Sequence, residues 1–274
     1  MADEIAQQTP QIGINLNIHQ AHSARMYDYY LGGVTNFPAD REAAGRALDA
    51  FPNARLAAHA NRAFMRRATR AIAELGIDQF LDIGTGIPTS PNLHEVAQGV
   101  NAGARVVYAD NDPIVLTHAE ALLDGTAQGR TDYVQGDVRD ARTILEAAAR
   151  TLDLERPIAL SMVAVLHFIA DRPGQNAADV VDAFISRLAP GSYLVISHFT
   201  ADFDPEATAR MEKVYRNSGT DLQARTREEV TALFQDWRLL TPGVVASPRW
   251  NPDAAAAGTT DAQAGCYAGV ARLG

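Results

Sequence analysis

The chain has 274 residues, 47% of them hydrophobic, enough to fill the core of one large α/β domain, with or without an appended lobe, and too many for a disordered chain. A formal net charge of −9 argues against a nucleic-acid backbone as partner, because phosphate binding needs a concentrated positive face. Cys266 is the only cysteine, no apolar run reaches bilayer length, and the start Met1-Ala2-Asp3-Glu4 lacks the basic and apolar character of a signal peptide. A disulfide framework and a membrane protein are thereby excluded, and a cytoplasmic location is expected.

Residues 1 to about 18 are polar and glutamine-rich without a clear period, and read as a loose tail. A helical lobe follows, from about Ala21 to Leu75. Its last helix puts Phe64, Ala68, Ala71, Ile72 and Leu75 on one face at a 3.6-residue period, and Gly76 stops it. Arg62, Arg66 and Arg70 recur at helical spacing, with Arg55 and Arg67 nearby, and read as a solvated face. The chain thus divides into a tail and helical lobe, 1–75, and a core, 76–274, that together make one integrated unit.

From Asp78 onward strands and helices alternate, the mark of a parallel, doubly wound α/β sheet. After the strands ending at Asp82 and Asp110, Pro113 opens a helix with Val115, Leu116, Ala119, Leu122 and Leu123 inward. A third strand ends at Asp137, and Ile144, Leu145, Ala148 and Leu152 mark the helix behind it. Residues 157–162 and 193–197 read as the fourth and fifth strands, separated by a helix burying Val180, Val181, Phe184, Ile185 and Leu188. Thr226-Arg227-Glu228-Glu229 is a capping-box sequence opening a helix that buries Val230, Leu233, Phe234 and Trp237. Val244-Val245 and residues 266–271 supply the last strands, with residues 251–263 as a surface loop between them. Cys266 then reads as a small core residue, not a nucleophile.

Three of these strands end in carboxylates at nearly equal spacing: Asp82, Asp110 and Asp137. Parallel strands deliver such residues to one edge of the sheet, and in open α/β sheets that edge binds ligands. The glycines of Asp82-Ile83-Gly84-Thr85-Gly86 raise the question of which ligand. A dinucleotide site needs Gly-x-Gly-x-x-Gly running into a helix, so that backbone N–H groups meet a pyrophosphate. Here Thr89 stands at the third glycine position and Pro88, which has no N–H, precedes it, which weakens that reading without removing it. S-adenosylmethionine (SAM) has no phosphate and carries an ammonium, a sulfonium and ribose hydroxyls, for which carboxylates are suitable partners.

With these pieces in place, residues 76–274 resemble the class I SAM-dependent methyltransferases. The matching segments are Leu81-Asp82-Ile83-Gly84-Thr85-Gly86, Tyr108-Ala109-Asp110, Gly136-Asp137-Val138, Val165-Leu166-His167 and Leu188-Ala189-Pro190-Gly191. Ala24-Arg25-Met26-Tyr27-Asp28-Tyr29-Tyr30-Leu31-Gly32-Gly33, Asn36-Phe37, Ala39-Asp40-Arg41, residues 84–90 and Asp110-Asn111-Asp112-Pro113 narrow the resemblance over nearly the whole chain. They look like a bacterial family, common in actinomycetes, called simply the S-adenosyl methyltransferase family. The resemblance implies a seven-stranded, mostly parallel Rossmann-like sheet with an N-terminal helical lobe, and SAM as cofactor with S-adenosylhomocysteine (SAH) as product.

It further implies that Asp82, Gly84 and Gly86 surround the methionine end, that Asp110 takes the ribose hydroxyls with Asn111 beside it, and that Asp137 and Val138 meet the adenine. Met162 and Ala164 would flank the bound cofactor. Taken singly, each carboxylate reads as an ordinary strand-end or capping residue and only the three together favour the cofactor, while Asp112 before Pro113 stands open between capping and binding. The segment holding Tyr29, Tyr30 and Gly32 either packs as a short helix or folds over the cofactor as a lid, its aromatic faces toward the sulfonium.

Methyl transfer asks the protein mainly to align the reactants and exclude water, with a base only where the acceptor must lose a proton early. His167 and, with lower priority, His198 follow strands toward the ligand edge, so His167 and Tyr30 are the candidate catalytic residues. No Cys/His or carboxylate cluster points to a metal. The leading expectation is a SAM-dependent methyltransferase acting on a small-molecule acceptor, with neither nucleic acid nor membrane as partner and the oligomeric state open. A SAM-binding sensor of the same fold is the alternative, and an NAD-dependent oxidoreductase the third reading.

Overall fold

The computed structural model describes residues 17–117 and 125–274. The expected tail lies outside the described residues except for Asn17 and Ile18, as do Ala119, Leu122 and Leu123 of the helix after Asp110. Three helices come first: α1 (Ser23–Tyr30), α2 (Pro38–Ala50) and α3 (Ala54–Glu74). Then β1 (Gln79–Ile83), α4 (Leu93–Val100), β2 (Arg105–Asp110), α5 (Pro113–Thr117), β3 (Arg130–Gln135), α6 (Ala141–Ala148) and β4 (Ala159–Val163) alternate. The alternation continues with α7 (Ala177–Ile185), β5 (Tyr193–Phe199), α8 (Pro205–Asn217) and α9 (Arg227–Ala232). It closes with β6 (Arg238–Leu239), β7 (Val245–Ala246) and β8 (Cys266–Arg272).

The sheet order is β3-β2-β1-β4-β5-β8-β6, with β7 also pairing on β8. Strands β1 to β5 are parallel and β8 runs antiparallel between β5 and the pieces β6 and β7. The two-residue β6 and β7 share the outer edge of β8, so the eight strands fill seven positions. The expected sixth strand at Val244-Val245 is β7, displaced by one residue, and β6 is an addition too short to carry a period.

Strand residues alternate between faces. Leu81, Val107, Leu160 and Leu194 face α6, α7 and α9, whereas Phe80, Val106, Ala159 and Val195 face α3 and α4. The helix expected after Thr226 is α9, and its capping box is formed in both directions, Glu229 N–H to Thr226 Oγ1 at 3.2 Å and Thr226 N–H to Glu229 Oε2 at 2.7 Å. Phe64, Ala68 and Ile72 of α3 are fully buried, so the last helix of the lobe forms one layer over the sheet. Leu75 departs from its expected place: it lies just past the end of α3 and is 60% exposed.

A third apolar cluster joins α1, α2 and α8, through Met26, Tyr30, Ala43, Ala47, Met211 and Tyr215, to Phe199 and Cys266 at the sheet edge. This cluster sits beside the carboxyl ends of the parallel strands. The order reverses between β1 and β4, which opens a crevice at that edge. No helix among the described residues is long and apolar enough to cross a membrane.

Candidate functional site

One cavity of about 510 Å³ occupies the crevice, within the size range of small-molecule sites. Its floor is the turn after β1, with Asp82, Gly84, Thr85 and Gly86. Asp110, Asn111 and Asp112 after β2, Gly136 and Val138 after β3, and Val163, Ala164 and Val165 after β4 continue it. The roof and far wall come from the helical lobe and α8, with Tyr27, Tyr30, Phe51, Met211 and Tyr215, together with His167 and Phe168. Tyr30 and His167 therefore border the same space as Asp82.

The two carboxylates of the floor differ in how they are held. Burial pushes the Asp82 carboxyl up to about 6, against the lowering effects of the Ser161 and Thr85 hydroxyls and the Arg62 cation. Asp110 is raised by burial too, but its oxygens accept the Gly86 N–H at 2.8 Å and the Asp112 N–H at 2.9 Å, which favour the ionised form. Asp110 thus ties the loop after β1 to the loop after β2. The two glycines also divide the work. Gly86, at φ +65°, has open space where a side chain would begin, whereas a Cβ on Gly84, at φ +70°, would meet Val165 Cγ2 at 2.6 Å. Gly84 is required by the neighbouring loop, and Gly86 leaves the cavity open.

Asp112 does more than cap. Its Oδ1 accepts the Ile114 N–H at 3.0 Å, at the start of α5, while Oδ2 lies 3.1 Å from Arg25 Nε and 3.1 Å from His22 Nδ1. Arg25 Nη1 also lies 3.6 Å from Asp40, whose carboxylate accepts the Phe37 and His22 N–H groups. Arg25, Asp40 and Asp112 are all nearly inaccessible to solvent, so a buried ion cluster fastens α1 and α2 to the floor.

Ala164 takes the left-handed conformation, φ +58°, rare for a residue with a side chain. Its N–H donates to Ser197 Oγ at 3.0 Å, and Ser197 in turn donates to Asn61 of α3. This kink turns the chain from β4 toward His167, whose Nδ1 accepts the Phe199 N–H at 3.4 Å. That bond assigns the ring proton to Nε2. Burial, with His198 and Arg225 nearby, holds His167 well below the usual histidine range, so it is a neutral donor and its one lone pair is occupied. His198 does not reach the cavity wall: it is buried within β5, between the Phe199 carbonyl at 2.8 Å and Arg225 Nη1 at 2.7 Å, and lowered to about 3.

Four other expected site residues are not brought into the wall. Met162 points with Leu160 to the opposite face of the sheet and is fully buried there, because strand residues alternate and Val163 takes the cavity side. Tyr29 lies under the Arg55 guanidinium, 4.7 Å from its ring centre. Gly32, at φ +81°, ends α1, and Gly33 leaves room for Asp28, since a Cβ there would lie 1.9 Å from Asp28 Oδ1. Asp137 is paired at the surface with Arg139 at 3.0 Å, leaving Val138 and Arg139 as the wall of that loop.

The arginines of α3 also differ from expectation. Arg62 donates to the Thr89 and Pro91 carbonyls, Arg66 donates to Ser90, and Arg67 is buried against the Ser247 and Trp250 carbonyls. Only Arg70 of the expected triad is exposed.

The family described as S-adenosyl methyltransferase matches residues 9–274. The chain belongs to this family. A DUF574 family protein from Streptomyces avermitilis is 44% identical over 94% of this chain and 100% of its own, with a TM-score of 0.92. A methyltransferase candidate from Thermobifida fusca is 39% identical over 97% of this chain and 99% of its own, with a TM-score of 0.86. No curated protein matches. Membership in the S-adenosyl methyltransferase family selects SAM as cofactor over the nicotinamide alternative.

The floor fits that cofactor. A buried carboxylate that is ionised above about pH 6 suits an ammonium group, and an open glycine bend needs no phosphate to fill it. Each Asp110 oxygen that accepts a backbone N–H keeps a second lone pair for a ribose hydroxyl.

Proposed function

We propose that the protein is a SAM-dependent methyltransferase acting on a small-molecule acceptor. The observation that carries this is the cavity of about 510 Å³, which joins the strand-edge carboxylates Asp82 and Asp110 to a chamber bordered by Tyr30 and His167. Asp82 pairs with the amino-acid end of the cofactor, Asp110 and Asn111 hold its ribose, and Gly136 and Val138 border its base. Bound there, SAM would supply an electrophilic methyl to a lone pair of the acceptor, with SAH as the product. The chain's own contribution is alignment and exclusion of water. Its roof is α1, which closes over the floor through Arg25 and Asp112.

His167 serves this reading as a hydrogen-bond donor, since its Nδ1 lone pair is already in use. Because methyl transfer needs no base when the accepting atom has no proton to lose, the occupied lone pair of His167 does not favour a sensor over an enzyme. The test is calorimetric titration of the protein with SAM, SAH and NAD, repeated on Asp110→Ala. Binding of both adenosyl-sulfur ligands but not NAD, greatly weakened in the variant, is the expected result. Preference for NAD, or no binding by folded protein, would overturn the reading.

A further inference from the structure

Beyond the cofactor floor the cavity opens into a chamber walled by rings. Phe51 and Phe199 meet edge to face at 5.9 Å, His167 lies 6.4 Å from Phe199 and 4.3 Å from Phe168, and Phe168 lies 5.7 Å from Tyr215. Tyr215 reaches Tyr30 across the roof, hydroxyl to hydroxyl at 3.3 Å. Five separate elements thus contribute a continuous aromatic lining.

Among the described residues, the ring-walled part of the cavity holds no ionised side chain without a partner. Burial holds the Tyr215 hydroxyl and the Cys266 thiol up at about 12 and Tyr30 well above its ordinary value, and His167 is neutral. Arg62, which also touches the cavity, is engaged with the Thr89 and Pro91 carbonyls. Asp221 at the mouth is paired with Arg172 at 2.5 Å. An ionised acceptor would give up its hydration here without gaining a partner.

Donors, in contrast, are left over. Tyr30 and Tyr215 hold two hydroxyl protons and their mutual bond uses one, while Tyr27 donates to the Ala58 carbonyl and so has none to offer. The His167 Nε2–H makes no hydrogen bond to any described residue. The chamber therefore presents two hydrogen-bond donors set among aromatic faces.

We infer that this chamber is the acceptor site and takes a flat, uncharged aromatic compound bearing an oxygen or nitrogen that accepts a hydrogen bond from the Tyr30–Tyr215 pair or from His167. The inference rests on the methyltransferase reading and specifies its substrate class. Aromatic walls favour a planar ring by stacking and edge contacts, and the two donors fix its orientation.

The experiment uses the full chain saturated with SAH and three probes read by ligand-observed saturation-transfer NMR: quinoline, naphthalene and quinolinecarboxylate. Quinoline is expected to bind, with the carboxylate about tenfold weaker or more because its charge is buried unpaired. Naphthalene, which cannot accept the hydrogen bond, is expected to bind roughly threefold to tenfold more weakly than quinoline. The Tyr30→Phe/Tyr215→Phe double variant should bring quinoline and naphthalene closer together while SAH affinity stays the same, which separates lost recognition from lost folding. Equal or tighter binding of the carboxylate, or no quinoline signal from SAH-saturated protein, would overturn the inference alone. Failure of the native protein to take SAH is read in the first titration, and would overturn the methyltransferase reading and this inference with it.

Discussion

The two halves of the cavity are built in opposite ways. The proposed cofactor half is made of strand ends: its residues fall within a few positions of Asp82, Asp110, Gly136 and Val163, and a parallel sheet brings them together by topology alone. The proposed acceptor half is made of side chains from α1, the α2–α3 junction, the turn at His167, the end of β5 and α8, which no local pattern connects. The first is polar and hydrogen-bonded to backbone, and the second is aromatic with spare donors. A site of this kind can keep its cofactor end while its acceptor end varies, because the backbone of the sheet constrains only the first.

The buried ion cluster is the place where the halves are joined, so breaking it should have the largest effect. Arg25→Met leaves Asp40 and Asp112 buried without their cation, and a loss of about 3–5 kcal/mol in unfolding free energy is expected. Urea denaturation of native and variant protein measures it. A loss below about 1 kcal/mol would mean that α1 is held to the floor by apolar packing, not by charge.

Asp110→Ala comes next and bears on the cofactor half. It removes the proposed ribose partner and frees the Gly86 and Asp112 N–H groups, so SAH affinity should fall about a hundredfold by calorimetry. If affinity is retained, Asp110 serves only to join the two loops.

The contrast between the halves also explains what could be read from the sequence. Asp82, Asp110 and the alternation of strands and helices were legible because strand ends and caps are local. The α9 capping box and the burial of Phe64 and Ile72 follow from such short-range patterns, whereas the strand order does not. Met162 was misplaced by one residue of alternation, and Asp137 by a neighbouring arginine that draws its carboxylate to the surface. The acceptor wall was harder. Tyr215 sits on α8, a helix absent from the expected elements although Asp204 as N-cap, Pro205 in the first turn, and Ala207, Met211 and Tyr215 at four-residue intervals signal it. Nothing local, however, ties Tyr215 to Tyr30, 185 positions earlier. Arg25 was likewise visible only as part of a motif, since its partners lie on two other elements.

A smaller effect distinguishes the two carboxylates of the floor. Burial places the Asp82 carboxyl at about 6, above its ordinary value of 3.8. Between these two values the folded protein binds more protons than the unfolded chain, so this group makes the cofactor-free protein less stable as pH rises from about 4 to about 6. Cofactor affinity has the opposite slope, because the ammonium group needs the ionised form. SAH binding should therefore weaken as pH falls below about 6, and titration near that pH in buffers of different ionisation heat should register proton release. In Asp82→Asn both signals vanish, and affinity at pH 7.5 falls roughly tenfold. A flat pH profile in the native protein would place the cofactor's ammonium elsewhere.

The smallest effect is the sharpest test of the division itself. Tyr215→Phe deletes one hydroxyl of the roof pair and leaves Tyr30 to find another partner, at a cost of about 1 kcal/mol in stability. No residue of the floor contacts that hydroxyl among the described bonds, so SAH affinity should stay within about twofold of the native value. The same calorimetric titration decides it. A loss approaching that of Asp110→Ala would mean that the roof reports to the floor, and the two halves would then form one cooperative site, closed by α1 and unable to vary separately.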